Sequence, residues 1–286
     1  LLTRAETQRI AGPRHGGRRC GLYKLLLTVT TAPIIELRNL VKSYGEVPVL
    51  NGINLSVDAG QVVGYIGPNG AGKSTTLKIL IGMLPDFAGE ATVLGMDVRT
   101  AALDIKRRIG YVPENAALYD SLTPLEYLQF VGQLYELDPG HIERKALDLL
   151  RLFQLADNAH ARMTTFSKGM RQKVLLISGL LHNPDVIFLD EPLSGLDANA
   201  VVLVKEIIRQ LANTGKTIFY SSHIMDVVEK ISDRIIIINK GQIIADGTFA
   251  ELQHQRPESL EQLFAQMTGS DSQTDVAGEF INTLTN

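Results

Sequence analysis

The chain has 286 residues, enough to bury one large core or two. Hydrophobic residues make up 45% and charged residues 21%, which excludes a disordered or fibrous chain, and the net charge of −3 gives no bulk attraction to nucleic acid or an anionic membrane. The single cysteine, Cys20, excludes an internal disulfide and a cysteine-based metal cluster, and no apolar run approaches the ~18 residues of a membrane span.

Residues 1–32 are set apart by composition. Arg4, Arg9, Arg14, Arg18, Arg19 and Lys24 face one acid, Glu6, among scattered glycines. This pattern predicts a disordered basic extension. The run Leu25-Leu26-Leu27 is too short for the apolar part of a signal peptide, and a natural start near Val29 is the competing reading.

From Ile34 onward the pattern is orderly, and an α/β domain is expected over 33–250. Ile34 to Leu37 and Val49 to Val57 read as strands, with Tyr44 between them near the end of the first. A lone tyrosine there is usually filler, yet ahead of a phosphate loop it is placed to stack on a purine ring. The run Val62 to Ile66 leads into Gly67-Pro68-Asn69-Gly70-Ala71-Gly72-Lys73-Ser74-Thr75, and a helix is expected behind it. Strand, glycine loop and helix together are the context of a phosphate-binding loop. The glycines let backbone N–H groups turn inward onto phosphate oxygens, and the helix N-terminus adds unpaired donors. Lys73 is expected on the β- and γ-phosphates and the Ser74 hydroxyl on Mg2+. These residues predict a nucleoside triphosphate site.

Strands are expected at Gly89 to Gly95 and at Ile109 to Glu114, the latter stopped by Pro113. Residues 120–165 turn helical, with Leu128, Val131 and Tyr135 on one face, which implies a helical insertion. The α/β alternation then resumes with strands at Val186 to Asp190, Thr217 to Tyr220 and Ile235 to Ile238, and a hairpin closing at Gly241 to Gly247. Such alternation implies a mostly parallel sheet covered on both faces. Residues 251–286 read as a helix with Leu260, Leu263, Phe264 and Met267 on its apolar face, followed by a polar tail.

Asp190-Glu191 ends an apolar strand, as the partner of a phosphate loop does. The aspartate can hold Mg2+ and the glutamate can polarise an attacking water. Pro192-Leu193-Ser194-Gly195-Leu196-Asp197 follows, and Phe166-Ser167-Lys168-Gly169-Met170 opens a helix upstream. Taken together over Ile34 to Gly247, these motifs resemble the nucleotide-binding subunit of an ATP-binding-cassette (ABC) transporter. The resemblance implies a P-loop NTPase cassette with a mostly parallel core, an antiparallel β subdomain and an inserted α-helical subdomain at about 116–165. It also implies two bound cofactors, ATP and Mg2+. Gly67 to Thr75 resembles the Walker A loop, Val186 to Glu191 the Walker B strand with its catalytic glutamate, and Ser194 to Asp197 the D-loop. His223 corresponds to the switch histidine and Tyr44 to the adenine-stacking aromatic.

Two departures from the family pattern stand out. The signature, usually Leu-Ser-Gly-Gly-Gln, reads Phe166 to Met170, keeping Ser167 and Gly169, which the resemblance places on the γ-phosphate of a partner cassette. Lys168 has two readings, added charge near phosphate or a solvent-facing side chain. Glu114 replaces the Q-loop glutamine; a carboxylate there can ligate Mg2+ or hold water. The resemblance implies a dimer of cassettes, homo- or heteromeric, and separate transmembrane permease subunits at the cytoplasmic face of the inner membrane. Ala116, Ala117, Leu118 and Tyr119 are expected to form the apolar docking surface. Stand-alone exporter ATPases are the leading reading; an importer ATPase, or a cassette acting in translation or DNA maintenance, are the alternatives. No nucleic acid is expected as partner, because no basic stripe occurs outside the extension. His15, His141, His160, His182 and His254 lack metal-ligand spacing.

Overall fold

A computed structural model describes residues 32–114, 118–253, 259–268 and 283–284. The expected basic extension, apart from Ala32, falls outside the described residues, as do Ala116, Ala117 and most of the polar tail.

Strands β1 (Ile35–Tyr44) and β2 (Val47–Val57) form an antiparallel hairpin, with partners running from Tyr44 and Val47 back to Ile35 and Val57. The first strand is longer than its apolar pattern predicts. Asn39 takes a left-handed φ of 46°, and register shifts flank Leu40 and Lys42, so the period of two that marks a strand is interrupted. Tyr44 therefore stands at the hairpin tip, next to Gly45 at φ 58°. Strand β3 (Val62–Ile66) is wholly buried and leads through the glycine loop to α1 (Lys73–Leu80). Next come β4 (Ala88–Val93), the short β5 (Met96–Asp97), α2 (Ala102–Arg108) and β6 (Ile109–Val112). Helix α2 is too short to show a helical period, and the sequence did not announce it.

The helical segment contains α3 (Pro124–Leu134) and α4 (Pro139–Leu152), each with proline in its first turn. Thr123 and Glu126 close a reciprocal cap on α3, the Thr123 N–H donating to Glu126 Oε2 at 2.8 Å and the Glu126 N–H to Thr123 Oγ1 at 3.2 Å. Helix α5 (Lys168–Leu180) starts at the signature and leads back to β7 (Val186–Asp190). The rest is α6 (Ala198–Asn213), β8 (Thr217–Ser221), α7 (Met225–Ile231), β9 (Arg234–Asn239), β10 (Gln242–Gly247), α8 (Phe249–Leu252) and α9 (Leu260–Thr268).

Two sheets result. One is antiparallel in the order β2-β1-β4-β5; the other runs β10-β9-β3-β8-β7-β6, parallel except where β10 pairs antiparallel with β9. The expected fold class is therefore the observed one: a mostly parallel core, an antiparallel β part and inserted helices. Alternate residues of β3 serve two apolar layers. Val62 and Ile66 join the core under the helices, and Val63 and Tyr65 join the core shared with the antiparallel sheet and α1. Leu260 of α9 is buried in the first layer with Phe264 and Met267 packed on it, and Leu263 is buried as well. Among the described residues no helix is long and apolar enough to cross a membrane.

Candidate nucleotide-binding site

The carboxyl ends of parallel strands are where an open α/β sheet binds its ligand. Here the loop after β3 and the ends of β7 and β8 meet at a cavity of about 580 Å3. Its wall includes Tyr44, Val49, Asn69, Gly70, Gly72, Lys73, Ser74, Thr75, Glu114, Asp190, Glu191 and His223.

The glycine loop is held by close backbone contacts. A Cβ on Gly67 would stand 2.3 Å from the Ile238 carbonyl oxygen, and Gly72, at φ 110°, would bring one to 2.5 Å from Leu50 Cδ2. Gly67, Pro68 and Ala71 form the loop's frame behind the wall. Lys73 Nζ donates to the carbonyls of Gly67 at 2.6 Å and Pro68 at 3.2 Å, and the Ala71 N–H donates to the Pro68 carbonyl at 3.1 Å. Burial pushes the Lys73 ammonium below its ordinary pKa, against the pull of Glu191, Asp190 and Glu114. The first turn of α1 has N–H groups without intrahelical partners, and Lys73, Ser74 and Thr75 put that turn on the cavity wall.

Opposite the loop, Asp190 ends β7 and accepts a 2.6 Å hydrogen bond from Ser221 Oγ on the neighbouring β8. Glu191 takes a left-handed φ of 49°, and its N–H donates to the Ser221 carbonyl at 3.2 Å. Its Oε2 contacts His223 Nδ1 at 2.8 Å and accepts from the His223 N–H at 3.3 Å. A carboxylate only accepts, so Nδ1 carries the proton of that contact. Ser221 and Val49 were missed by sequence reasoning. The run Ser221-Ser222-His223 at a buried strand's end was the available signal for the first; Val49 is brought in by the register shift in β2.

The remaining site residues lie elsewhere. Among the described residues Ser167, Gly169 and Asp197 are not part of this wall. Ser167 Oγ caps α5 by accepting the Met170 N–H at 3.2 Å. Asp197 caps α6 in the same way through the Ala200 N–H at 2.9 Å, which holds its carboxyl below the usual range. The start of α5 lies tightly on the segment after Glu191. A Cβ on Gly169 would come within 2.6 Å of the Gly195 carbonyl oxygen, and Gln172 Nε2 donates to the Pro192 carbonyl at 3.2 Å. Lys168 is exposed, as the solvent-facing reading expects, and its Nζ donates to Ser194 Oγ at 2.9 Å.

The expected apolar docking surface needs a correction. Leu118 is only 8% exposed, packed in the helical core, while Tyr119 is 59% exposed and stacks edge-on against Phe130 at 5.8 Å. Leu118 is drawn inward because burying a leucine is worth about 1.5–3 kcal/mol.

Comparison with known proteins agrees with this geometry. The family model described as ABC transporter matches residues 50–194. The linearmycin resistance ATP-binding protein LnrL of Bacillus subtilis is 37% identical over 219 residues, 77% of this chain and 70% of that protein. NatA, an ABC transporter ATP-binding protein of the same organism, is 39% identical over 220 residues, 76% and 89% of the two chains. Nod factor export ATP-binding protein I of Cupriavidus pinatubonensis is 32% identical over 275 residues, 93% and 85% of the two. Among solved structures, an ATP binding subunit of an ABC transporter superposes with a TM-score of 0.77 at 33% identity, covering 82% of this chain and 99% of that one. A dimeric ATP-binding cassette in a post-hydrolysis state, bound to ADP and Pi, gives a TM-score of 0.70 at 26% identity, covering 75% and 98%. With a triphosphate-sized cavity walled by a glycine loop and by paired Asp190 and Glu191, and with relatives of this length and identity, the chain belongs to the ABC transporter family as an ATP-binding, ATP-hydrolysing cassette.

Proposed function

We propose that the chain energises export through separate membrane-spanning permease subunits, working as a peripheral subunit at the cytoplasmic face of the inner membrane and pairing with a second cassette. The observation that carries this is the division of the site: the phosphate loop, Asp190 and Glu191 share one cavity, while Ser167 and Gly169 lie outside it on the chain's own surface. A second cassette facing the cavity would complete it. The dimeric cassette to which this chain is similar supports the pairing, and two similar proteins named for export and for resistance support the direction.

In this reading the backbone of Gly70 to Thr75 and the Lys73 ammonium bind the phosphates, and Tyr44 stacks on adenine. The donor set fits Mg2+: the Ser74 hydroxyl and the Asp190 and Glu114 carboxylates, all oxygen donors, line the same cavity. The ion's chemistry there is neutralisation of phosphate charge. Glu191 orients water and accepts its proton, His223 holds that carboxylate, and the partner's counterparts of Ser167 and Gly169 close on the γ-phosphate. Asp197 caps α6 and pairs with Lys173 of the signature helix at 3.4 Å. Tyr119 and Phe130 offer the exposed aromatic contact for a permease.

Two measurements test this. Tagged chain recovered from detergent-solubilised native membranes should bring down a multi-span protein, and recovery of ribosomes or DNA-repair proteins instead would overturn the transport reading. Tyr119→Asp should abolish transport while ATP hydrolysis persists; unchanged transport would remove Tyr119 from the docking surface.

A further inference from the structure

Lys42 occupies a position where a strand ordinarily buries an apolar side chain. It lies on β1 two residues before Tyr44 and two after the buried Leu40, and it is only 6% exposed. Its Nζ contacts Asp86 Oδ2 at 2.9 Å, in the loop between α1 and β4. The same ammonium stands 5.1 Å from the centroid of the Tyr44 ring. Tyr44 is 48% exposed and lines the cavity, whereas Lys42 is not among the described residues of its wall.

A desolvated ammonium is costly unless it is paired. The partners seen here are a carboxylate and an aromatic face, and the second attracts a cation through the ring quadrupole. We infer that Lys42 is a positioning residue for the base end of the site: its ammonium steadies the Tyr44 ring and, through the exposed Asp86, ties it to the segment that leaves the phosphate-loop helix. The ring then keeps its place relative to Lys73 while leaving its open side to the adenine. This inference rests on the assignment of Tyr44 as the stacking surface.

The test uses three variants of the full chain, Lys42→Met, Lys42→Arg and Tyr44→Ala. Each is read by KM and kcat for Mg·ATP and by inhibition with inorganic tripolyphosphate, which carries no base. Lys42→Met should raise KM about three- to tenfold, leave kcat within about twofold, and leave the tripolyphosphate inhibition constant unchanged. Lys42→Arg should restore KM, since a guanidinium supplies both the ion pair and the ring contact. If Lys42→Met leaves KM for ATP unaltered while Tyr44→Ala raises it, the positioning role is overturned and the stacking surface stands. If Tyr44→Ala itself has no effect, the stacking assignment fails and the inference falls with it. An equal weakening of ATP and tripolyphosphate in Lys42→Met would put its effect on the phosphate loop and overturn the proposal.

Discussion

Glu191 and His223 form a 2.8 Å contact between Oε2 and Nδ1, reinforced by the His223 N–H on the same oxygen at 3.3 Å. They reach one another because Asp190 and Ser221 are paired at the ends of adjacent parallel strands, and Glu191 turns out of its strand at φ 49°. A left-handed glutamate costs of order 1–3 kcal/mol and persists only where its surroundings hold it. The contact supplies that hold and aims the carboxylate into the cavity.

Glu191→Gln should keep ATP binding and lower the hydrolysis rate by about 10²–10⁴-fold, the usual contribution of a positioned general base. Single-turnover hydrolysis checks the rate, and light scattering should reveal a dimer trapped by Mg·ATP. A variant that hydrolyses normally would remove Glu191 from the role. His223→Ala should lower the rate as well while leaving ATP affinity near that of the parent.

Ser221→Ala removes the hydroxyl that donates to Asp190 at 2.6 Å. A hydrogen bond to a charged group contributes about 1.5–3 kcal/mol, and Asp190 would lose its orienting donor inside the protein. Urea unfolding should show a loss of that order, and activity should need more Mg2+ for half-saturation. An unchanged Mg2+ requirement would confine Ser221 to a structural role.

Gly67→Ala and Gly169→Ala should fail differently. The first drives a methyl into the Ile238 carbonyl beneath the phosphate loop, so ATP binding itself should be lost. The second presses on the Gly195 carbonyl at the start of α5, away from the cavity. ATP should still bind the isolated cassette, and the hydrolysis rate should fall. Fluorescent-nucleotide titration beside a hydrolysis assay separates the two.

His182 gives a pH dependence to stability. Its ring stacks on Tyr135 at 3.6 Å, its Nε2 contacts the Ile109 carbonyl at 2.9 Å, and its buried Nδ1 has no partner among the described residues. Burial pushes its pKa below the ordinary 6.5, helped by Lys145 and Lys216 and opposed by the hydrogen bond to Ile109. As pH falls through about 6.5 the unfolded chain takes up the proton first, so stability drops from there until the lower folded-state value is passed. His182→Phe keeps a ring against Tyr135 and should flatten that part of the profile, as measured by urea unfolding from about pH 7.5 to about pH 5. An equal slope in the variant would assign the pH dependence to other groups.

The phosphate loop, the Asp190-Glu191 strand end and the signature were legible in the amino-acid sequence because each is a contiguous run. Local spacing alone decides where its backbone N–H groups, its helix start or its buried strand falls. The same is true of the apolar face of α9. What no local pattern contains is the contact between runs. Lys42 meets Asp86 across 44 positions, Asp190 meets Ser221 across 31, and Glu191 meets His223 across 32. Strand order and register decide these pairs: β8 lies between β3 and β7, which brings Ser221 and His223 to the strand that carries the acids. The sequence by itself predicted a triphosphate site on a glycine loop. Tertiary packing decided that Lys168 serves Ser194, that Leu118 turns inward, and that Ser167 and Gly169 lie outside the cavity, because side-chain partners follow from sheet register and from which face of each helix finds apolar cover.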